Sequence, residues 1–155
     1  MSKSLERVRS ALESAGLTAT ILEPGETRTA EQAAAAAGCA LDQIVKSIIF
    51  RGEHSGHIRL FLTAGGNRVC PDLASALADE PLGRADAALV RSDTGFAIGG
   101  VAPVGLLSPC PTWADPRLLA FDQVWAAAGT PRHIFAIDPP TLVRLSGATV
   151  AEFTQ

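Results

Sequence analysis

The segment Ile44-Val45-Lys46-Ser47-Ile48-Ile49-Phe50 decides the fold, because its pattern predicts the central strand of a buried sheet. A short apolar run rich in β-branched residues is typical of a strand buried on both faces. Side chains alternate along a strand, so Lys46 shares a face with Ile48 and Phe50. Burying an ammonium group is unfavourable unless a partner or water reaches it. Two interpretations stay open: Lys46 is a functional cation, or its stem packs while its head reaches water.

The choice of basic residues elsewhere in the chain bears on this question. Of the thirteen basic residues only Lys3 and Lys46 are lysines, and all the others are arginines. Lysine carries a compact point charge, whereas arginine carries a planar fork suited to bidentate contacts. In a chain whose basic residues are otherwise nearly all arginine, a lysine in the central strand favours a site that needs a point charge.

The composition indicates a compact globular chain, and at 155 residues we expect one domain spanning residues 1–155. Apolar residues make up 47% and charged residues 19%, and no apolar run is long enough to cross a bilayer. The N-terminal segment is charged and has no apolar signal core, so a cytoplasmic protein without a membrane partner is expected. The net charge of −3 argues against nucleic-acid binding by bulk charge, but leaves room for a local basic patch.

Periodicity and capping signals predict alternating helices and strands. Helices are expected at residues 5–15, 30–37, 71–77, 86–91 and 139–145. Strands are expected at residues 18–22, 44–50, 58–64, 112–114, 134–137 and 149–153, with a hairpin loop at 51–56. Together these elements predict an α/β fold with a mixed, mostly antiparallel central sheet and surrounding helices.

Most candidate chemical motifs favour an ordinary structural interpretation. His54 and His57 have a spacing seen in metal sites, but their polar loop lacks an acidic or cysteine ligand, so no metal is expected. The three cysteines are odd in number and form no C-x-x-C pair, which argues against disulfides and zinc. Asp115 fits a turn or helix cap better than a catalytic carboxylate, and His133 alone is more often structural.

A glycine pair downstream of the lysine strand is the second feature that favours a site. Gly99 and Gly100 lie in an apolar stretch, residues 96–105, that is rich in glycine and proline. Without Cβ atoms, such a backbone can bring its N–H groups close to a ligand oxygen. A pocket with one cation, Lys46, and backbone donors suits an anionic or ester-like group.

The order of these motifs resembles a known family. Thr29-x-Glu31-Gln32-x-Ala34 is followed by Ile44-Val45-Lys46-Ser47, and then by Thr94-Gly95-Phe96-Ala97-Ile98-Gly99-Gly100-Val101-Ala102-Pro103. Asp115, Gly129 and the closing Pro139-Pro140-Thr141-Leu142-Val143-Arg144-Leu145-x-x-Ala148 complete the order. This pattern resembles the YbaK/prolyl-tRNA synthetase-associated domain family over about residues 5–153.

The resemblance implies an α/β fold and a hydrolase that cleaves the ester between a wrong amino acid and the tRNA 3′ end. It implies catalytic roles for Lys46, whose charge holds adenosine or ester oxygens, and for the backbone N–H groups of Gly100 and Val101, which stabilise the oxyanion. Water is the expected nucleophile, activated by the neighbouring ribose hydroxyl, or the thiol of a cysteinyl substrate attacks. The residues expected to bind substrate are Ile44, Ser47, Phe50, Gly99, Pro103, Gly129, Thr130 and His133.

The resemblance also implies partners and a substrate class. The aminoacyl-tRNA 3′ end is the expected partner, with a synthetase as an additional candidate, and no metal or cofactor is needed. A small amino acid such as alanine is expected, on tRNA(Pro) or a related tRNA, with serine, cysteine and threonine also open, because a synthetase pocket rejects smaller side chains weakly. Some alanine-specific relatives have histidine directly after the later glycine, where this chain has Thr130.

Two other functions stay open on the sequence. The same fold can serve as a non-catalytic module that binds tRNA ends or a synthetase. Alternatively, Lys46 in a hydrophobic pocket acts as a Schiff-base nucleophile towards carbonyl compounds.

Overall fold

A computed structural model describes residues 2–25, 27 and 29–155. The helices in this part of the chain are α1 Lys3–Ser14, α2 Ala30–Ala37, α3 Pro71–Ala78, α4 Ala87–Thr94 and α5 Pro139–Ser146. The strands are β1 Thr20–Leu22, β2 Ile44–Gly52, β3 Ile58–Ala64, β4 Leu82–Arg84, β5 Thr112–Ala114, β6 Val124–Ala127, β7 Ile134–Ile137 and β8 Thr149–Val150. Short 3₁₀ helices cover Leu41–Gln43 and Pro116–Ala120. None of the described helices is both long and apolar enough to cross a membrane.

All eight strands form one mixed sheet with the order β1-β7-β6-β2-β3-β5-β8, and β4 pairs with β2 beside this path. The pairs β2–β3, β2–β4, β6–β7 and β1–β7 are antiparallel. The pairs β2–β6, β3–β5 and β5–β8 are parallel. The predicted α/β fold with a mixed, mostly antiparallel sheet is therefore confirmed.

Helices cover both faces of the sheet. One face packs its largest core cluster against α1, α4, α5 and the segment 96–104, with Val45 from β2 at its centre. The other face carries two separate clusters. Ile44 and Trp125 pack under α2, whereas Phe61 and Phe153 pack under α3. Lys46 lies on this second face, between the two smaller clusters.

The observed burial corrects one prediction for β2. Ile44 and Val45 are buried, but Lys46 to Phe50 are only partly covered, so β2 is not buried on both faces along its length. All seven residues of β3 are buried instead. The clusters under α2 and α3 are separate, so the side chains between them on this face of β2 are only partly covered.

Most predicted elements agree with the structure to within a few residues, because their ends carry strong local signals. Thr29 Oγ1 accepts a hydrogen bond from the Gln32 N–H, and Asp86 and Asp138 cap α4 and α5 in the same manner. The predicted last strand, residues 149–153, is shorter, since β8 covers only Thr149–Val150. Strands β4 and β6 and both 3₁₀ helices were not predicted.

Candidate active site

Strand β2 has an open stretch along one edge. Val45 pairs with Ala64 of β3 and with Ala126 of β6, so β3 and β6 lie on opposite edges of β2. Phe50 likewise pairs with β3 on one edge and with Arg84 of β4 on the other. The edge shared by β6 and β4 therefore has no strand beside residues 46–49, which we call the β2 gap. At about 3.3 Å per residue this gap is about 13 Å long.

Ser47 and Ile49 both turn backbone polar groups towards the gap, and Ser47 also lines the cleft described below. The Asp115 N–H donates to the Leu62 carbonyl at 2.9 Å, on the β5 side of β3. Because Leu62 faces β5, its antiparallel partner Ser47 turns its own N–H and C=O away from β3 and into the gap. Outside the strands, no described residue bonds to these two groups. The Ser47 Oγ is also buried, and within the described chain it has no hydrogen-bond partner.

A cleft of about 180 Å³, which we call the Lys46 cleft, opens beside the gap. Its walls come from α2, β2, β6 and the two glycine loops. The lining residues are Thr27, Thr29, Ala30, Ala33, Ile44, Val45, Lys46, Ser47, Gly99, Val101, Trp125, Ala126, Ala127, Thr130, Pro131, His133 and Ile134. The cleft therefore combines an apolar wall with a small number of polar groups, as ligand sites usually do.

The Lys46 ammonium group is held by a backbone carbonyl. Its Nζ donates to the Asn67 oxygen at 2.5 Å, in the turn that follows β3. Burial is the main reason that the pKa of Lys46 is lowered, and the charge of Arg68 lowers it further. The carboxylates of Glu31 and Asp115 act in the opposite direction. Lys46 is thus a partly buried cation with no carboxylate of the described chain within ion-pair distance.

Asp115 holds the turn that carries Asn67. Its side chain is 2% exposed, and Oδ2 accepts from the Ala64 N–H at 3.1 Å and from Asn67 Nδ2 at 2.9 Å. Oδ1 accepts from the Arg117 N–H at 2.9 Å and so caps the 3₁₀ helix that follows. The interpretation of Asp115 as a turn and helix cap agrees with these contacts. Asp115 reaches the site only through Asn67.

Of the two glycine-loop donors expected to act on the substrate, one has an acceptor within the described chain and the other has none. The Gly100 N–H donates to the Ala97 carbonyl at 2.9 Å in this structure, and its expected part in stabilising an oxyanion stays a prediction. A turn inside the 96–105 segment uses this donor. The neighbouring Val101 N–H has no acceptor among the described residues, and Val101 lines the Lys46 cleft.

Gly100 also has a packing role. A Cβ on Gly100 would lie 2.7 Å from the Thr130 Cα and carbonyl carbon, which is closer than real Cβ atoms approach. The loops at Gly100 and Thr130 therefore touch backbone to backbone. Gly129 has a φ of 95°, which favours glycine, and a Cβ there would lie 2.7 Å from the Ser4 carbonyl oxygen. The two glycines thus fix the distance between opposite walls of the cleft.

Thr130 and His133 form a hydrogen-bonded pair on the cleft wall. Thr130 Oγ1 lies 2.6 Å from His133 Nδ1 and accepts from the Arg132 N–H at 3.1 Å. Which of the two side chains donates in this bond depends on the tautomer of the imidazole. His133 Nε2 lies 3.6 Å from Glu23 Oε2.

A second cleft, which we call the Arg68 cleft, borders Lys46 on the other side. It has a volume of about 330 Å³ and is lined by Lys46, Ile48, Phe50, Asn67, Arg68, Val69 and Gln155. Arg68 is exposed, and its guanidinium group has no ion-pair or hydrogen-bond partner among the described residues. Two cations and a phenyl ring therefore share this cleft, and Lys46 connects it with the first.

Comparison with known proteins assigns the chain to a family. A family model described as an aminoacyl-tRNA editing domain matches residues 24–145, which include both glycine loops and all of β2. The chain belongs to the aminoacyl-tRNA editing domain family. The resemblance inferred from the motifs is confirmed.

Individual relatives of this editing domain extend the match. A solved structure described as a candidate trans-editing enzyme for prolyl-tRNA synthetase is 45% identical, with a TM-score of 0.92 over 100% of this chain and 99% of that one. The structure of a hypothetical protein, APE2540, is 30% identical, with a TM-score of 0.87 over 96% of this chain and 99% of that one. The uncharacterized protein YwhH of Bacillus subtilis (strain 168) is 30% identical over 122 residues, 79% of this chain and 77% of that protein.

The Lys46 cleft of the editing domain contains most of the predicted site residues, but not all of them. Those that line it are Ile44, Lys46, Ser47, Gly99, Val101, Thr130 and His133. Phe50 lines the Arg68 cleft, and Pro103 lines a separate cavity near Leu145. Gly100 and Gly129 lie behind the wall as packing residues.

Three residues near Lys46 in the editing domain were not predicted. Asn67 and Arg68 follow β3, and Trp125 belongs to β6. The hairpin register would have indicated the first two, because it pairs Lys46 with Thr63 and so brings the next turn close to the lysine. Trp125 gave no local signal, since its contact with the site depends on a parallel pairing with β2.

Proposed function

We propose that this editing domain hydrolyses the ester of mischarged aminoacyl-tRNA in trans. The observation that carries the proposal is that one cleft is lined by Lys46 and by Val101, whose N–H has no acceptor among the described residues, in a chain of the aminoacyl-tRNA editing family. A cation and a preorganised N–H donor are the groups that stabilise an ester on the way to its tetrahedral intermediate.

The mechanism places the ester carbonyl beside Val101. Its N–H stabilises the developing oxyanion, and one such donor typically contributes about 3 kcal/mol to lowering the barrier. Water is the nucleophile, and the neighbouring ribose hydroxyl of the substrate assists it. The proposal uses no metal, no cofactor and no covalent enzyme intermediate.

The cleft favours a small amino acid. Ile44, Trp125 and Ile134 are buried and form its apolar wall, and the touching glycine loops fix its opposite side. At about 180 Å³ the cleft is small. We therefore propose alanine as the first candidate, with serine, cysteine and threonine next, on tRNA(Pro) or a related tRNA.

The Arg68 cleft is the proposed path of the tRNA end. Its occupant must pass Lys46, which borders both clefts. Arg68 offers an unpaired guanidinium group to a phosphate, and Phe50 offers an aromatic side chain beside it for a base. This arrangement provides local positive charge on a chain whose net charge is −3.

The experiment is a deacylation panel with alanyl-, seryl-, cysteinyl- and threonyl-tRNA(Pro). We expect rapid hydrolysis of at least one of these substrates, and loss of that activity in Lys46→Ala. Lys3→Ala is the matched control. It removes the second lysine of the chain, which is exposed on α1, and should keep full activity. If no substrate is hydrolysed but the protein still binds tRNA ends, it is the non-catalytic module instead.

The proposed tRNA path has its own measurement. Arg68→Gln is expected to raise KM about 5- to 20-fold for aminoacyl-tRNA, with kcat nearly unchanged and a weaker dependence of KM on salt. Arg91→Gln, at an exposed arginine of α4, is the control. An aminoacyl-adenosine substrate without phosphates should not distinguish Arg68→Gln from the wild type, and a tRNA KM unchanged by this variant would exclude the path.

A further inference from the structure

The β2 gap leaves three polar groups of Ser47 without partners among the described residues. The Ser47 N–H and C=O face the open edge, and the Ser47 Oγ is buried beside them. Buried polar groups in proteins nearly always have hydrogen-bond partners, so the unpaired Ser47 hydroxyl, with two backbone groups beside it that no described residue pairs, calls for an explanation. Because Ser47 lines the Lys46 cleft, a bound ligand is in a position to complete these bonds.

The gap is too short to be a docking edge for another protein strand. It is about 13 Å long, and β6 and β4 close it at its two ends. The loop that carries Gly99 and Val101 also lines the cavities on this side of Ser47. The occupant must therefore be a small polar group rather than an added strand.

We propose that the Ser47 edge binds the free α-amino group of the aminoacyl ester, so that the enzyme acts only on substrates whose amino group is unblocked. This inference rests on the proposed deacylase function. The Ser47 C=O accepts a hydrogen bond from the ammonium group. The Ser47 Oγ accepts a second, and the Val101 N–H across the cleft binds the ester carbonyl oxygen.

The placement of charges agrees with an ammonium group at this edge. Side chains alternate along β2, so the Lys46 side chain points to the face opposite the Ser47 hydroxyl. The Lys46 ammonium group is held at the Asn67 carbonyl, in the turn that follows β3. The Lys46 ammonium and the substrate ammonium can therefore be bound by different carbonyl groups on opposite faces of β2, although both residues line the same cleft.

The first test compares each hydrolysed aminoacyl-tRNA with its N-acetylated form. Acetylation removes the positive charge and two donors from the amino group, and leaves the ester intact. We expect kcat/KM to fall at least about 100-fold, because a site built to bind a polar group rejects an analogue that cannot pair with it. Equal hydrolysis of both forms overturns this inference and leaves the deacylase intact, whereas failure of the unblocked substrate refutes the deacylase itself.

The second test uses Ser47→Ala and separates binding from folding. Since the Ser47 Oγ has no partner in the described protein, its removal should leave Tm unchanged or raise it. The same variant should lower kcat/KM about 3- to 10-fold for the unblocked substrate and have no effect on the acetylated one.

Thr112→Val is the matched control for a paired hydroxyl. Thr112 is buried, and its Oγ1 donates to the Cys110 carbonyl at 3.0 Å. This variant should lower Tm and leave kcat/KM unchanged. If Ser47→Ala lowers Tm as Thr112→Val does, or leaves kcat/KM unchanged, the hydroxyl is a structural group and has no part in binding the amino group.

Discussion

Gly100→Ala tests whether the contact between the two glycine loops sets the shape of the cleft. The added Cβ would lie 2.7 Å from the Thr130 Cα, whereas ordinary contact begins at 3.4 Å, so the Thr130 loop must move by about 0.7 Å. Forcing such an overlap into a packed region typically costs about 1–3 kcal/mol. Displacements near 1 Å can reduce catalysis about 100-fold, so we expect kcat/KM to fall between about 10- and 100-fold.

Gly147→Ala provides the comparison for this prediction. Gly147 ends α5 with a φ of 70°, and its added Cβ would meet no atom within 4 Å. The substitution strains the backbone by about 1–2 kcal/mol but moves no wall of either cleft. Urea unfolding and deacylation kinetics of both variants give the answer. The reasoning fails if both variants lose stability and Gly100→Ala deacylates as fast as Gly147→Ala.

Two further predictions concern Asp115 and Glu80, the carboxylates at the two ends of the β2–β3 hairpin. In Asp115→Asn the new side chain cannot accept all three hydrogen bonds of the buried carboxylate, so the free energy of unfolding should fall by about 1.5–3 kcal/mol. We also expect kcat to fall, because the turn that carries Asn67 would no longer hold Lys46. Thermal unfolding measures the first effect, and an unchanged Tm would show that Asp115 does not hold the turn. At the other end, hydrogen bonds from Ser55 and His54 lower the pKa of Glu80 to about 2, with Arg59 at 2.8 Å. A lowered carboxyl pKa stabilises the fold above the ordinary value of 4.5, and this stabilisation is lost as the pH falls from there towards 2. Glu80→Gln should therefore lower Tm at pH 7 and converge with the wild type near pH 2. A constant Tm difference across that range would contradict the assignment.

The helices and the two long strands were predictable because their signals are local. Thr29, Asp86 and Asp138 mark helix starts by side-chain caps that need only the next three residues. The hairpin of β2 and β3 likewise follows from alternating apolar residues around one polar loop. The lysine in β2 was recognisable because a charged residue in such a strand contradicts the surrounding pattern.

The details that define the cleft were not predictable, because they depend on contacts between distant segments. The β2 gap exists only because β6 ends beside Val45 and β4 begins beside Phe50. The glycine pair correctly predicted that the backbone lies close to another group, but it did not predict which group. That approach is made to Thr130, and the Gly100 N–H is used by a turn. Residue types cannot reveal which of two neighbouring N–H groups is left free.

The site therefore lies where the sheet is incomplete, beside the β2 gap. A continuous strand beside β2 would pair the Ser47 backbone and cover Lys46, and both changes would favour folding. The fold instead fixes the two ends of the β2–β3 hairpin, through Asp115 and the turn after β3 at one end and through Glu80 and the loop between the strands at the other. Removing the unpaired Ser47 hydroxyl should then stabilise the protein while it weakens catalysis, and removing either anchor should reduce both.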